Sequence, residues 1–157
     1  MLFYSLPIIN GHSNGLLPFD LRPSGYDFDE AKIFLNALSV EGVDFYQNVQ
    51  LKLDTAYPAL MAISLILAYW ILSPIKWGIW RFVIFPFAII AAIFDYLENA
   101  YICKMLQLGA DAITPEIVQT ASGFSSNKAL FVAISSTILL FLIGLWGWRK
   151  FANNRKA

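Results

Sequence analysis

Three long apolar runs divide the chain: Thr55 to Leu72, Phe82 to Phe94 with its flanks, and Ala129 to Trp148. Peptide groups taken into hydrocarbon must bond within their own segment, which forces a helix of roughly 20 mostly apolar residues for each crossing. The first run opens at Leu53-Asp54-Thr55 and stops at Ser73-Pro74, with Pro58 close behind its start. A proline there costs least if the helix begins near Thr55, whereas an earlier start puts a kink into it. The second runs from about Ile79 through Tyr101 or beyond, and Pro86 inside it predicts a kink near Phe82, whose carbonyl loses its donor. The third is uninterrupted. Its Ser135, Ser136 and Thr137 can bond back to the backbone or across to a neighbour, and Gly144 and Gly147 permit close approach. Between the second and third runs, about Gln107 to Asn127 reads as a loop.

Residues 1–53 have another texture. Met1 to Ile9 is apolar over too short a stretch to span and is interrupted by Pro7, so it reads as the end of a longer helix or as a plug lying at the interface. Asn10 to Gly15 reads as a turn-rich loop, and Pro18, Pro23 and Gly25 keep the chain irregular up to Tyr26. Asp27 with Glu30 has the spacing of a capping box, and Ala31, Phe34, Leu35 and Leu38 then share one helical face. Gly42 is expected to end or bend this amphipathic helix. Val43 to Leu53 is expected to run into the first span.

Composition agrees with a membrane solvent: of 157 residues, 58% are hydrophobic and 14% charged, and the mean hydropathy is +0.59. A water-soluble domain of this size needs more polar surface to cover its core. The expected class is an all-α integral membrane helical bundle with three transmembrane helices and an extramembrane amphipathic segment, leaving open a fourth helix truncated at the amino terminus. It is read as one membrane domain over 1–157, with an outer-side region 1–53 and spanning helices within 54–150. The net charge of zero hides segregation. Lys76, Arg81, Arg149, Lys150, Arg155 and Lys156 fall on one side with no acid beside them, and the last acid is Glu116. Arg22, Lys32, Lys52, Lys104 and Lys128 lie at or near the other side. Lys and Arg in short flanks resist translocation, which puts the carboxyl terminus in the cytoplasm. Trp70, Trp77, Trp80, Trp146 and Trp148 gather at that same end, as an aromatic belt does. Membrane lipid is the expected partner, and nothing in the charge pattern points to nucleic acid.

Candidate chemistry is confined to carboxylates. Asp95 and Glu98 are spaced i, i+3, and Asn99 follows Asp95 by four, so the three project from one side of the second helix. Asp54, at the head of the first helix, belongs to a similar depth in the outer half of the membrane. Asp54, Asp95, Glu98 and Asn99 therefore form the candidate polar site. Acids at such depth cost roughly 3 kcal/mol each on insertion scales, which marks them either as a proton, cation or substrate site or as helix-locking groups. The locking alternative pairs them with Lys52 or Lys104, or bonds them to Tyr57 and Tyr101. His12, the only histidine, lies in a turn-rich stretch and reads as a solvated or casually bonded ring and not as a metal or haem ligand. Cys103 reads as a buried thiol without a partner, and Ser135 and Ser136 lack a base. No catalytic residue, metal ligand set or cofactor motif is legible.

Gly25-Tyr26, Glu30-Ala31, Ala37-Leu38, Glu41-Gly42, Tyr46, Leu53-Asp54, Tyr57-Pro58 and Phe94-Asp95-Tyr96-Leu97-Glu98-Asn99 together resemble a pattern in small bacterial inner-membrane proteins of unassigned function. The resemblance covers about residues 18 to 150. It implies a four-helix membrane protein of the bacterial inner membrane whose leading helix is here absent or reduced to Met1 to Ile9, supplied either upstream of Met1 or by another subunit. It carries no catalytic assignment. The expected function is a structural or accessory subunit that associates with itself or another protein through its spanning helices. The alternative is a small transporter or lipid-modifying enzyme using Asp54, Asp95 and Glu98.

Overall fold

The computed structural model describes residues 3–155; Met1, Leu2 and Lys156, which figure in the expectations above, lie outside them. All regular structure among the described residues is helical. The elements are α1 (Ser5–His12), a 3-10 turn Phe19–Leu21, α2 (Phe28–Ala37), α3 (Val40–Phe45), a π-helical turn Tyr46–Gln50, α4 (Leu51–Leu72), a 3-10 stretch Ile75–Ile84, α5 (Phe85–Ala112) and α6 (Pro115–Asn154). Three continuous helical stretches, Val40–Leu72, Ile75–Ala112 and Pro115–Asn154, are long and apolar enough to cross a membrane.

The three rods run antiparallel, α5 packing along both of its neighbours. At the end that carries the basic flanks, Tyr69, Ala88 and Leu142 form a small core joined by Trp77, Phe85 and Ile138. Tyr69 donates its hydroxyl to the Ser135 carbonyl at 2.7 Å. Arg81 closes the inner turn, its guanidinium 3.4 Å from the Trp70 ring centre, a stacking that holds a cation in contact with apolar surface.

The opposite end is a cap with a core of its own. Leu6 and Ile9 of α1, Phe19, Tyr26, and Ala31, Phe34, Leu35 and Leu38 of the α2 segment bury against Ile102, Met105 and Leu106 of α5 and Val118 and Ala121 of α6. The capping box forms as expected: Glu30 N–H donates to Asp27 Oδ1 at 2.8 Å and Asp27 N–H to Glu30 Oε2 at 3.0 Å. Gly25 lets the cap lie directly on α6. Its φ is +84°, and a Cβ there would stand 2.5 Å from Ser122 Oγ, the same oxygen that accepts from Tyr26 N–H at 2.9 Å.

Five expectations need correction. The stretch 107–127 is not a loop: α5 continues to Ala112, interrupted at Gly109 (φ 70°), and α6 starts at Pro115, because the outer ends of both helices supply a wall of the cap core. Pro86 makes no kink inside a helix; it occupies the first turn of α5, where its missing N–H has no partner to lose. The deformation falls earlier, at Gly78 (φ 52°) within the 3-10 stretch. Pro58 lies in the interior of a helix that begins upstream of Thr55, and Tyr96 donates its hydroxyl to the nearby Thr55 carbonyl at 2.9 Å. Gly42 neither ends nor bends α2. The break comes at Leu38 and Ser39, Ser39 capping α3, while Gly42 is buried with His12 Cβ only 2.6 Å from where a Cβ would be. Asn10 to His12 belong to α1, leaving the turn to Ser13–Gly15.

Candidate functional site

The polar site sits where the membrane-spanning rods pass under the cap. Asp95 and Glu98 leave the same face of α5 toward α6, and Lys128 meets both: its Nζ is 3.5 Å from Asp95 Oδ1 and forms an ion pair with Glu98 Oε2. One turn earlier on α6, Ser125 donates to Glu98 Oε1 at 2.5 Å. Both acids are withdrawn from solvent, Asp95 at 4% and Glu98 at 1% exposure. Such burial is tolerable only because ammonium and hydroxyl replace the water that the carboxylates give up.

Asp54, on α4, is buried at the same level. Asp20, from the Phe19–Leu21 turn, lines the same cavity as Asp54. Tyr46, in the π-helical turn, donates its hydroxyl to Asp20 Oδ2, whereas Asp20 Oδ1 is buried without a partner. Gln50, at the end of that turn, is fully buried. Its Oε1 accepts from Ser5 Oγ at 2.5 Å, and its Nε2 is an unpartnered buried donor.

Asp20, Gln50, Asp54, Asp95 and Lys128 line a half-open cavity of about 690 Å³. Phe3, Leu6, Leu21 and Pro23 line it as well, so its polar groups are set in a largely apolar wall, and Met61, Ala129, Val132 and Ala133 continue that wall along α4 and α6 without a polar side chain. The pattern follows from register. Asp54, Tyr57 and Met61 recur at helical spacing on α4, and Lys128, Ala129, Val132 and Ala133 do so on α6.

Of the four residues expected to form the site, Asp54, Asp95 and Glu98 converge. Asn99 does not join them: neither atom of its side-chain amide has a hydrogen-bond partner. The expected basic partners are also different. Lys52 and Lys104 are exposed, Lys104 lying 5.6 Å from the Tyr101 ring centre, and among the described residues every ion pair is made by Lys128. Asp20, Tyr46, Gln50, Ser125 and Lys128 were not expected here. For the last two a signal exists: Val118, Ala121, Ser125 and Lys128 mark one helical face through a tract that otherwise looks polar.

Elsewhere the chemistry is modest. His12 Nδ1 lies 3.0 Å from Ser39 Oγ, which joins α1 to the start of α3. Cys103 is partly buried, with Gln107 Nε2 at 3.4 Å from its sulfur. Burial, and then the neighbouring Glu98 charge, push the Tyr26 phenol above its ordinary range. Among the described residues no group of three or more His, Cys, Asp or Glu side chains is arranged to hold a metal ion. No family model, curated protein or solved structure matches the chain.

Proposed function

We propose that this multi-pass membrane protein works through the chamber beneath its cap, binding a polar or charged group there in order to move it or act on it. The observation that carries this reading is the union of cavity and charge. Three carboxyl groups, of Asp20, Asp54 and Asp95, and the Lys128 ammonium line the cavity, Glu98 pairing with Lys128 from behind its wall, and Gln50 Nε2 has no hydrogen-bond partner. Helix locking accounts for the Lys128, Asp95, Glu98 and Ser125 cluster. It does not account for Asp20 and Asp54, which line open volume and form no ion pair among the described residues. Buried carboxyls are neutralised by a proton or by a counter-charge, and the open volume beside Asp20 and Asp54 leaves room for a ligand that brings one.

Extraction in a mild neutral detergent, followed by native mass spectrometry, tests the reading. The expected particle is homogeneous and carries a small molecule that the Asp54→Asn variant loses. A large hetero-assembly with an empty chamber would overturn it and favour the accessory-subunit alternative. One observation supports that alternative: Gly144 and Gly147 on α6 have no neighbouring side chain within 4 Å, so a partner helix could approach closely there. For location, the proposal is the bacterial inner membrane with the carboxyl terminus in the cytoplasm. It is supported by the basic flanks and by the resemblance carried by the Gly25-Tyr26 to Asn99 motifs.

A further inference from the structure

We infer that the chamber takes a long-chain amine with an oxygen acceptor beside its nitrogen, the amino-alcohol or amino-ester head of a lipid-like amphiphile. This inference rests on the binding function proposed above and assigns the ligand's chemistry.

Three features of the cavity each fix one part of that ligand. The first is charge. Lys128 is engaged by Asp95 and Glu98, so among the described residues Asp20 and Asp54, both on the cavity wall, form no ion pair, and Asp20 Oδ1 is buried with no hydrogen-bond partner. An ammonium between these two carboxyls would complete the pairing with charge-assisted hydrogen bonds. The second is the orphaned donor. Gln50 is fully buried and its Oε1 is taken by Ser5, so Nε2, on the same wall, calls for an acceptor oxygen on the ligand. A bare metal ion or a simple amine leaves that donor unanswered, and an unanswered buried donor costs about 1–3 kcal/mol.

The third is the polarity gradient. From Asp54 to Met61 the wall on α4 changes from carboxylate to thioether over about 10 Å of helix at ~1.5 Å per residue. On α6, Ala129, Val132 and Ala133 supply a facing wall without a polar side chain. The small side chains of Ala129 and Ala133 leave the volume that a tail would fill. A head at the capped end and a tail directed along α4 and α6 toward the middle of the membrane is also how an outer-leaflet amphiphile lies. A small hydrophilic amine would leave the apolar end unused.

The test uses the full chain in nanodiscs of phosphatidylcholine, titrated with 2-amino-1-dodecanol, dodecylamine, 1-dodecanol and dodecanoate, with occupancy read by native mass spectrometry. The amino alcohol is expected to bind one per chain, at least about tenfold more tightly than dodecanol, with dodecanoate weakest. Asp54→Asn and, independently, Asp20→Asn are each expected to remove most of that preference while helix content is retained. Gln50→Leu is expected to bring the amino alcohol down to the level of dodecylamine. Val132→Trp, which fills the apolar end, is expected to exclude every probe. If dodecanol or dodecanoate binds as tightly as the amines, in a manner blocked by Val132→Trp and indifferent to Asp54→Asn, the amine assignment is overturned and the binding chamber stands. If no probe shows binding that Val132→Trp blocks, both fall.

Discussion

Lys128 is the residue on which the buried charges depend, because among the described residues it is the one ammonium within reach of Asp95 and Glu98. Lys128→Met is isosteric enough to keep the packing of α6, yet it leaves two carboxylates without their counter-charge. Breaking a buried pair from one side typically costs about 3–5 kcal/mol, more than removing the whole cluster. The expected order of thermal stability in detergent is therefore wild type, then Lys128→Met/Asp95→Asn/Glu98→Gln, with Lys128→Met alone the lowest; a single variant no less stable than the triple would show that the acids do not need the lysine. The acids themselves were legible in the sequence, since a carboxylate beside an apolar run stands out and i, i+3 spacing settles its face. Lys128 was not, because a lysine at the outer end of an apolar run reads equally well as a flank in water. Asp20 and Gln50 were still less visible: they reach the chamber by the path of the cap, which no local pattern encodes.

At the level of elements, the cap is built from short helices that depend on their ends. The α2 helix has only ten residues, too few to persist alone in water, so the reciprocal Asp27 and Glu30 bonds and the buried Ala31, Phe34 and Leu35 face act together. Asp27→Ala is expected to destabilise α2 by about 1 kcal/mol. That is a loss of roughly fivefold in amide-exchange protection confined to α2 and its neighbours, with the protection of α4 and α6 unchanged. Uniform loss across all helices would mean instead that the cap and the rods open as one unit. Capping and amphipathic spacing made the start and the buried face of α2 legible, but not its end, which falls at Ala37 and not at Gly42. The continuation of α5 and α6 past the apolar runs was hidden for the opposite reason. Gln107 to Asn127 carries many polar residues, and its helix is maintained by tertiary burial of Ile113, Val118 and Ala121 under the cap, a contact between segments far apart in sequence. Proline misled at both positions. Pro86 is a first-turn residue because the 3-10 stretch before it ends the preceding segment, and Pro58 is accommodated within a longer helix than its apolar run suggests.

For the molecule as a whole, length and charge determine how it stands in a bilayer. With 40 residues, α6 is about 60 Å long, roughly twice the hydrocarbon thickness, so one end must project. The apolar stretch from Ala129 to Trp148 is the part that fits within lipid, which makes Pro115 to Lys128 the projecting part, and this is the part the cap encloses. The apolar runs read from sequence lie inside the helices that are long and apolar enough to cross a membrane, even where they misplaced the helix ends. Sidedness follows from Lys and Arg. Lys76, Arg149, Lys150 and Arg155 are exposed at the end away from the cap, no acid accompanies them, and Trp70, Trp80, Trp146 and Trp148 expose their rings near the same level. Moving that group of cations across a membrane is opposed both by their desolvation and by the inside-negative potential. With Cys103 replaced by Ala, single cysteines introduced at Lys76 and at Lys150 are therefore expected to resist an impermeant maleimide applied to intact cells and to react once the membrane is opened. A cysteine at Lys32, half-buried on the cap helix α2, is expected to react from outside. Labelling of Lys76 and Lys150 from opposite sides would break the antiparallel threading itself. Labelling of both from outside would keep the threading and invert it, placing the chamber, its carboxylates and its cap on the cytoplasmic leaflet.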